Sequence, residues 1–399
     1  MNRAQQIIAG HAGRPDVVAG QIVAVDVDHV YVQDGNSPTI ARMFRKHGFD
    51  RVFDPDRISI FFDHSVLVPN TDIADRLKEA REFCADMGLR TYEAGRGISH
   101  LVAAELGIFR PGDIVLGSDS HTCAGGAQGS LSLGMGATDI VAAMVTGRTW
   151  LKVPHTVRIT VRGRPHAAAA ARDVVYHALA LHGQPRFLYA SVEWDGEWIA
   201  SLSDDERASV ASLGVEMGAK CVFFGASDTT AADENEADTI TLDITDLSPM
   251  VSLPHAPDNV VSLDEITGQA IDYVFVGSCT NSREEDIVEV ARILKGRKVS
   301  DGVHLVVTPG TRDIYLRCMA SGHVAAIVEA GGVIAPPGCG ACLGTQGSVP
   351  ATGDRVLTTM NRNFKGRMGN PEAEIYLASP RVAANTALAG EIPRLSELI

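Results

Sequence analysis

No apolar run in these 399 residues approaches the length needed to cross a bilayer, and the opening Met1-Asn2-Arg3-Ala4-Gln5-Gln6 starts no secretory leader. A cytoplasmic protein is expected, with no membrane partner. Positive charge is also scarce: Lys plus Arg number 35 against 49 Asp plus Glu, a formal net charge of −14. That balance disfavours general nucleic-acid binding, and an anionic substrate would need local arginines to overcome the global field. Cysteines number seven, an odd and scattered set, which argues against a disulfide framework and for a reducing compartment. No internal repeat is present. The glycine-rich stretch from Gly125-Gly126-Ala127-Gln128-Gly129 to Gly134-Met135-Gly136 lacks the Lys-Ser/Thr ending of a phosphate loop. It reads as close packing or a turn, and no nucleotide site is expected.

What the chain does have is the content of a large enzyme. Hydrophobic residues make up 45% and charged residues 21%, ordinary values for a globular protein with ample core. Apolar strand-like runs alternate with helical patterns, the signature of an α/β fold. The runs include Ile58-Ser59-Ile60-Phe61-Phe62, Asp113-Ile114-Val115-Leu116, Val157-Arg158-Ile159-Thr160-Val161, Tyr273-Val274-Phe275-Val276 and His304-Leu305-Val306-Val307. A boundary is expected near Val153-Pro154, where a helix-like segment gives way to a strand-like one. The acidic stretch 227–246 reads as a linker or exposed loop, with a second boundary just after it. Three α/β domains follow, over 1–153, 154–248 and 249–399.

Three cysteines stand in glycine-flanked loops: Gly277-Ser278-Cys279-Thr280-Asn281-Ser282 and Pro336-Pro337-Gly338-Cys339-Gly340-Ala341-Cys342-Leu343-Gly344. On its own the Cys339–Cys342 pair could be redox-active, half a zinc site or a loop accident. Cys279 narrows the choice. It follows the apolar run 273–276 and precedes Arg283-Glu284-Glu285-Asp286, an acidic first turn suited to a helix start. It therefore lies near a helix N-terminus, where the dipole favours a thiolate. Three thiolates fit an iron–sulfur cubane whose fourth iron keeps an exchangeable position. Such an iron is a Lewis acid, suited to removing hydroxide from carbon, and the pattern points to a hydro-lyase. Cys84, Cys123, Cys221 and Cys318 read as small buried apolar residues.

The polar motifs fall where a dehydratase needs them. Asp63-His64 and Gly117-Ser118-Asp119-Ser120-His121-Thr122 each follow a strand-like run, and strand ends of α/β sheets are where ligands bind. A carboxylate beside an imidazole fixes its tautomer and raises its basicity, which suits it to protonate a departing hydroxyl. His100 adds a third imidazole. Asn361-Arg362-Asn363-Phe364-Lys365-Gly366-Arg367 carries two guanidinium groups suited to bidentate carboxylate recognition, though a solvated basic turn has the same composition.

These motifs, with Val32-Gln33-Asp34-Gly35, resemble in type and order those of the aconitase family, in particular the large subunits of its isopropylmalate isomerase and homoaconitase branch. The resemblance runs from near the start of the chain to its end. It implies three stacked α/β domains around a central 4Fe–4S cluster, ligated by Cys279, Cys339 and Cys342 with Asn361 beside it. It also implies that Gln33, Ser120, Arg362 and Arg367 contact substrate. Asp63 and His64 would be the dyad that protonates the leaving hydroxyl, while His100 with Asp119, and His121 with Glu216, would surround the reacting oxygen. Ser212 stands where the family usually has asparagine. Single-chain members continue into a swivelling domain that carries the proton-abstracting serine and a substrate arginine. With that domain absent from this chain, a separate small subunit is expected.

The implied activity is reversible dehydration of a hydroxy di- or tricarboxylic acid, with 3-isopropylmalate in leucine biosynthesis first. Homoaconitate, dimethylmalate, citraconate and maleate are the rival substrates. A cluster-free RNA-binding regulator or a zinc-bearing structural subunit are the readings of another class. The retained acid–base pairs and the net charge of −14 speak against both.

Overall fold

The computed structural model describes residues 1–225, 238–344 and 346–398. The chain divides into two compact units, each assembled from three separate stretches. The first comprises Met1–Ala94, Val102–Arg162 and Pro185–Leu242; the second comprises Gly95–Leu101, Gly163–Gln184 and Asp243–Ile399.

The first unit is built on a five-stranded parallel sheet. Its strand order is Arg90–Tyr92, Ile58–Phe61, His29–Gln33, Ile114–Gly117 and Leu131–Gly134. The strands Ile58–Phe61 and Ile114–Gly117 are buried at every position, which is why they read as unbroken apolar runs and not as alternation. Parallel strands all deliver their carboxyl ends to one edge, and that edge carries Asp34, Asp63 and Asp119. A four-stranded sheet takes Cys221–Phe224, Ser191–Asp195, Thr156–Arg162 and Asp238–Asp243 in that order. Gly126, in the tight helical segment Ser120–Gln128, crosses close beneath it: a Cβ there would lie 1.9 Å from the Val222 carbonyl oxygen. The glycine-rich stretch is thus a packing device.

Two expectations require correction. The segment before Pro154 is a strand: Arg148–Lys152 alternates exposed and buried and pairs antiparallel with Ile22–Asp26, a period of two that a helix cannot satisfy. Within the acidic stretch 227–246, Asp238–Asp243 is likewise a strand, with Ile240 and Leu242 buried between exposed polar residues. The part at 227–237 lies outside the described residues.

The second unit holds a seven-stranded mixed sheet. Its order is Val260–Ser262, Met250–Ser252, Glu374–Leu377, Arg355–Thr358, Tyr273–Val276, His304–Val307 and Val333–Ile334. The five strands from Glu374–Leu377 onward run parallel, so the loops after Val276 and Thr358 leave by the same edge. Helix Glu284–Leu294 begins with the acidic turn Glu284, Glu285 and Asp286, where the Asp286 carboxylate accepts the Arg283 N–H at 2.9 Å. Its buried face packs with the helix Pro380–Ala389 in the core around Val274 and Val276. Among the described residues no helix is long and apolar enough to cross a membrane.

Candidate active site

In the first unit the carboxyl ends of three adjacent strands bring together residues scattered along the sequence. Asp63 and His64 follow Ile58–Phe61 by two and three positions, and His64 Nδ1 lies 2.7 Å from Asp63 Oδ1. With Nδ1 engaged, Nε2 is the nitrogen left to exchange a proton outward. It lies 3.8 Å from Asp119 Oδ2. All these groups are buried or nearly so, which keeps competing water from their hydrogen bonds.

Asp34, immediately after the strand His29–Gln33, was not expected to have a role. Its two carboxylate oxygens accept the backbone N–H groups of His64 and Ser65, each at 3.0 Å, and Oδ1 lies 3.4 Å from His64 Nδ1. Asp34 therefore fixes both the backbone and one side of the ring of His64. The signal was its place at a strand end beside Gln33; what hid it was that its partners lie about thirty positions away. Gln33 donates its backbone N–H to Ser118 Oγ at 3.1 Å, and its side-chain oxygen accepts the Gly35 N–H.

Asp119 caps the segment Ser120–Gln128, accepting the His121 N–H at 2.8 Å. The Thr122 hydroxyl donates to the Asp119 carbonyl at 2.6 Å and accepts from the buried Tyr31 hydroxyl at 3.0 Å. Burial pushes the Tyr31 phenol well above its usual range, so it stays a neutral donor. His121 then faces carboxylates on both sides, with Nδ1 3.3 Å from Asp119 and Nε2 3.0 Å from Glu216. The Ser120 hydroxyl is 3.5 Å from His121 Nδ1. Glu216 sits just past the helix Asp204–Leu213, which packs against Ser120–Gln128 through a Cys123 Sγ–H bond to the Ala211 carbonyl at 3.2 Å. Ser212 is wholly buried beside it, and its hydroxyl has no hydrogen-bond partner among the described residues.

In the second unit the two cysteine loops meet. The edge of the Phe275 ring is wedged between them: a Cβ on Gly277 would lie 2.5 Å from the ring tip, and one on Gly340 would lie 2.8 Å from it. Gly340 also has φ +58°, a conformation that glycine adopts freely. The loop after Thr358 closes in as well. Thr359 Oγ1 donates to the Gly277 carbonyl at 3.0 Å, and Ser278 donates to Asn361 Oδ1 at 2.7 Å. Asn361 Nδ2 donates to Cys279 Sγ at 3.4 Å, and Arg367 donates to Cys342 Sγ at 3.2 Å.

N–H donors aimed at cysteine sulfur are what thiolates holding an iron–sulfur cluster use to spread their charge, so the donor set of Cys279, Cys339 and Cys342 fits that group. The other cysteines are different in kind. Burial pushes the thiols of Cys84 and Cys221 up to about 12 and that of Cys318 up to about 11, as expected of packing residues. Arg362 lies next to Asn361 on the same loop. His100 is buried in the stretch Gly95–Leu101, which is tied to the second unit by the bridge from Gly97 to Thr311 and by the Ile98 N–H bond to Gly310 at 2.8 Å. Asp119 belongs to the first unit.

One further residue in the second unit escaped sequence reasoning. Arg172, from the helix Ala171–His182, is entirely buried and donates to Asn281 Oδ1, to the carbonyls of Thr359 and Met360, and to the Tyr176 hydroxyl. It sits beside an alanine run, with no pattern to mark it.

The model of the aconitase family (aconitate hydratase) matches residues 5–235 and 229–390. The 3-isopropylmalate dehydratase large subunit of Clostridium botulinum (strain Alaska E43 / Type E3) is 40% identical over 98% of both chains. That of Caldicellulosiruptor saccharolyticus is 40% identical over 100% of this chain and 97% of its own. The 3-isopropylmalate dehydratase large subunit 1 of Methanopyrus kandleri is 38% identical over 98% of this chain and 97% of its own. Among solved structures, aconitase X of Thermococcus kodakaraensis in its holo-form shares the fold, with TM-score 0.57 and 15% identity over 90% of this chain and 89% of that one.

Proposed function

Since the chain belongs to the aconitase family, we propose that it is the large subunit of a 3-isopropylmalate dehydratase, a hydro-lyase of leucine biosynthesis that works with a separate small subunit. The observation that carries the chemistry is the convergence of the Cys279 and Cys339–Cys342 loops with N–H donors on two of their sulfurs. Relatives of that name, at about 40% identity along the whole chain, support the substrate.

Cys279, Cys339 and Cys342 would hold a 4Fe–4S cluster, with Asn361 and Arg367 as donors to its thiolates. When bound, the cluster supplies Lewis-acid activation of a carbon–hydroxyl bond. His64, oriented by Asp63 and Asp34, delivers the proton from Nε2 to the departing oxygen. Asp119 and Glu216 hold His121, and the family resemblance assigns His100 to the same chemistry. Gln33, Ser120, Arg362 and, beside its bond to Cys342, Arg367 bind the substrate's carboxylates and hydroxyl. The base that takes the carbon-bound proton belongs to the small subunit. In this reading residues 1–153, 154–248 and 249–399 are three α/β domains.

The test is anaerobic reconstitution with iron and sulfide, followed by metal analysis and exposure to air. Three protein thiolates leave one iron exchangeable, so aeration should lower iron per chain and dehydratase activity together, and ferrous iron with thiol should restore both. Iron content and activity that survive prolonged aeration would overturn the reading. Turnover of homoaconitate, dimethylmalate, citraconate or maleate in preference to 3-isopropylmalate would overturn the substrate.

A further inference from the structure

A buried charge is costly unless something opposite in sign answers it. Arg172 is fully buried, yet its four hydrogen bonds all go to neutral oxygens: Asn281 Oδ1 at 2.8 Å, Thr359 O at 2.8 Å, Met360 O at 2.9 Å and Tyr176 Oη at 2.6 Å. Among the described residues no carboxylate forms an ion pair with it. Its sequence neighbour Asp173 is turned elsewhere, accepting the N–H groups of Ala170 and Met250. Asp173 meets the guanidinium only through space, and the Arg172 Nε has no hydrogen-bond partner among the described residues, so a guanidinium without a direct ion pair has charge to offer to something the polypeptide holds.

The placement of those oxygens says what. Asn281 is two residues past Cys279, and Met360 immediately precedes Asn361. The fork therefore grips both sides of the hydrogen bond from Asn361 Nδ2 to Cys279 Sγ. An iron–sulfur core with three thiolates carries net negative charge in its resting state. Resting on the family reading above, we propose that Arg172 is the buried counter-cation of the cluster, and the positioning residue that keeps the Cys279 loop in register with Asn361. The two roles are separable. Register depends on the shape of the planar fork, which can serve several oxygens at once, whereas neutralisation depends only on charge.

The experiment compares Arg172→Met, which removes both, with Arg172→Lys, which keeps charge but offers one ammonium in place of the fork. In the cluster-free chain, amide hydrogen exchange at 277–283 and 358–362 should rise at least tenfold in Arg172→Met, with other regions unchanged. After anaerobic reconstitution, Arg172→Met should lose its visible absorbance to a chelator at least tenfold faster than the parent. What cluster remains should have a more negative reduction potential. Arg172→Lys should restore the potential while retaining part of the exchange defect. If Arg172→Met does not fold, Asn281→Ala, which removes one oxygen and leaves the cation, should raise exchange in the same two segments without moving the potential.

Unchanged exchange and unchanged chelator sensitivity in Arg172→Met would overturn the proposal, as would a potential that Arg172→Lys fails to restore. A parent chain that takes up no cluster would instead refute the family-based function. The exchange result on the cluster-free chain would still decide the positioning role.

Discussion

At the scale of single residues, adjacency decides what a sequence can reveal. Asp63 and His64 are neighbours in the chain, so their pairing is visible in the letters, and the structure holds them at 2.7 Å. Asp34 and Arg172 reach partners far along the chain; a strand end beside Gln33 is the one local sign of Asp34, and nothing in local composition marks Arg172. Glu216 was reachable only through family resemblance, because its bond to His121 spans 95 positions. His64→Ala should lower turnover by roughly 10²–10⁴-fold, the range of a general acid, while leaving the cluster's visible absorbance intact. Cys339→Ser should bleach that absorbance. Retention of more than about a tenth of normal turnover in His64→Ala would remove it from the proton-donor role.

His11 gives a second residue-scale prediction, away from the site. The hydrogen bond from its Nε2 to Asp28 at 2.7 Å holds the imidazole above the ordinary histidine range, against burial, which pulls the other way. A raised folded-state pKa adds stability that is fully present below about 6.5 and is lost as pH rises through the folded value. The difference in unfolding midpoint between parent and His11→Ala should therefore be largest at pH 6 and shrink toward pH 9. A difference that grows with pH would contradict the assignment.

At the scale of elements, buried central strands were the most legible features. Tyr273–Val276 and His304–Val307 coincide with their apolar runs because parallel strands covered on both faces have no polar side to blur the pattern. Arg148–Lys152 and Asp238–Asp243 were missed for the opposite reason. They are half-exposed: in one Arg148, Trp150 and Lys152 face outward over buried Thr149 and Leu151, which hides the alternation, and in the other the exposed positions are polar and look like an acidic loop. The glycine stretch was legible as packing but not in its target, a strand nearly a hundred residues further on. Gly126→Ala should destabilise the protein by about 1–3 kcal/mol, the usual cost of overpacking against a backbone that cannot move aside. The denaturant midpoint measures this; an unchanged midpoint would mean that the strand Cys221–Phe224 yields easily.

At the scale of the whole molecule, the relatives from Clostridium botulinum, Caldicellulosiruptor saccharolyticus and Methanopyrus kandleri, matched along nearly the full chain, are each named as large subunits. The reconstituted chain alone should show no appreciable dehydratase activity on 3-isopropylmalate and should gain it on mixing with a small subunit of the swivelling-domain type. A partner that closes over the bound substrate would exclude water from the reacting bond itself. Full activity from the chain alone, measured by alkene absorbance, would require a proton-abstracting base within these 399 residues.

The two units interleave along the chain, three stretches each in strict alternation, so the first is complete only once Leu242 is made and the second only with the stretch that follows it. The bridge from Gly97 to Thr311 makes this concrete. At the usual 5–20 residues per second on the ribosome, His100 emerges on the order of tens of seconds before its anchor. In that interval the seven residues Gly95–Leu101 are a nascent segment whose own unit is not yet made. A truncated transcript or a ribosome stall before Thr311 would release a chain in which His100 never reaches its place. Translation to the last third is thus itself a condition for assembling this protein.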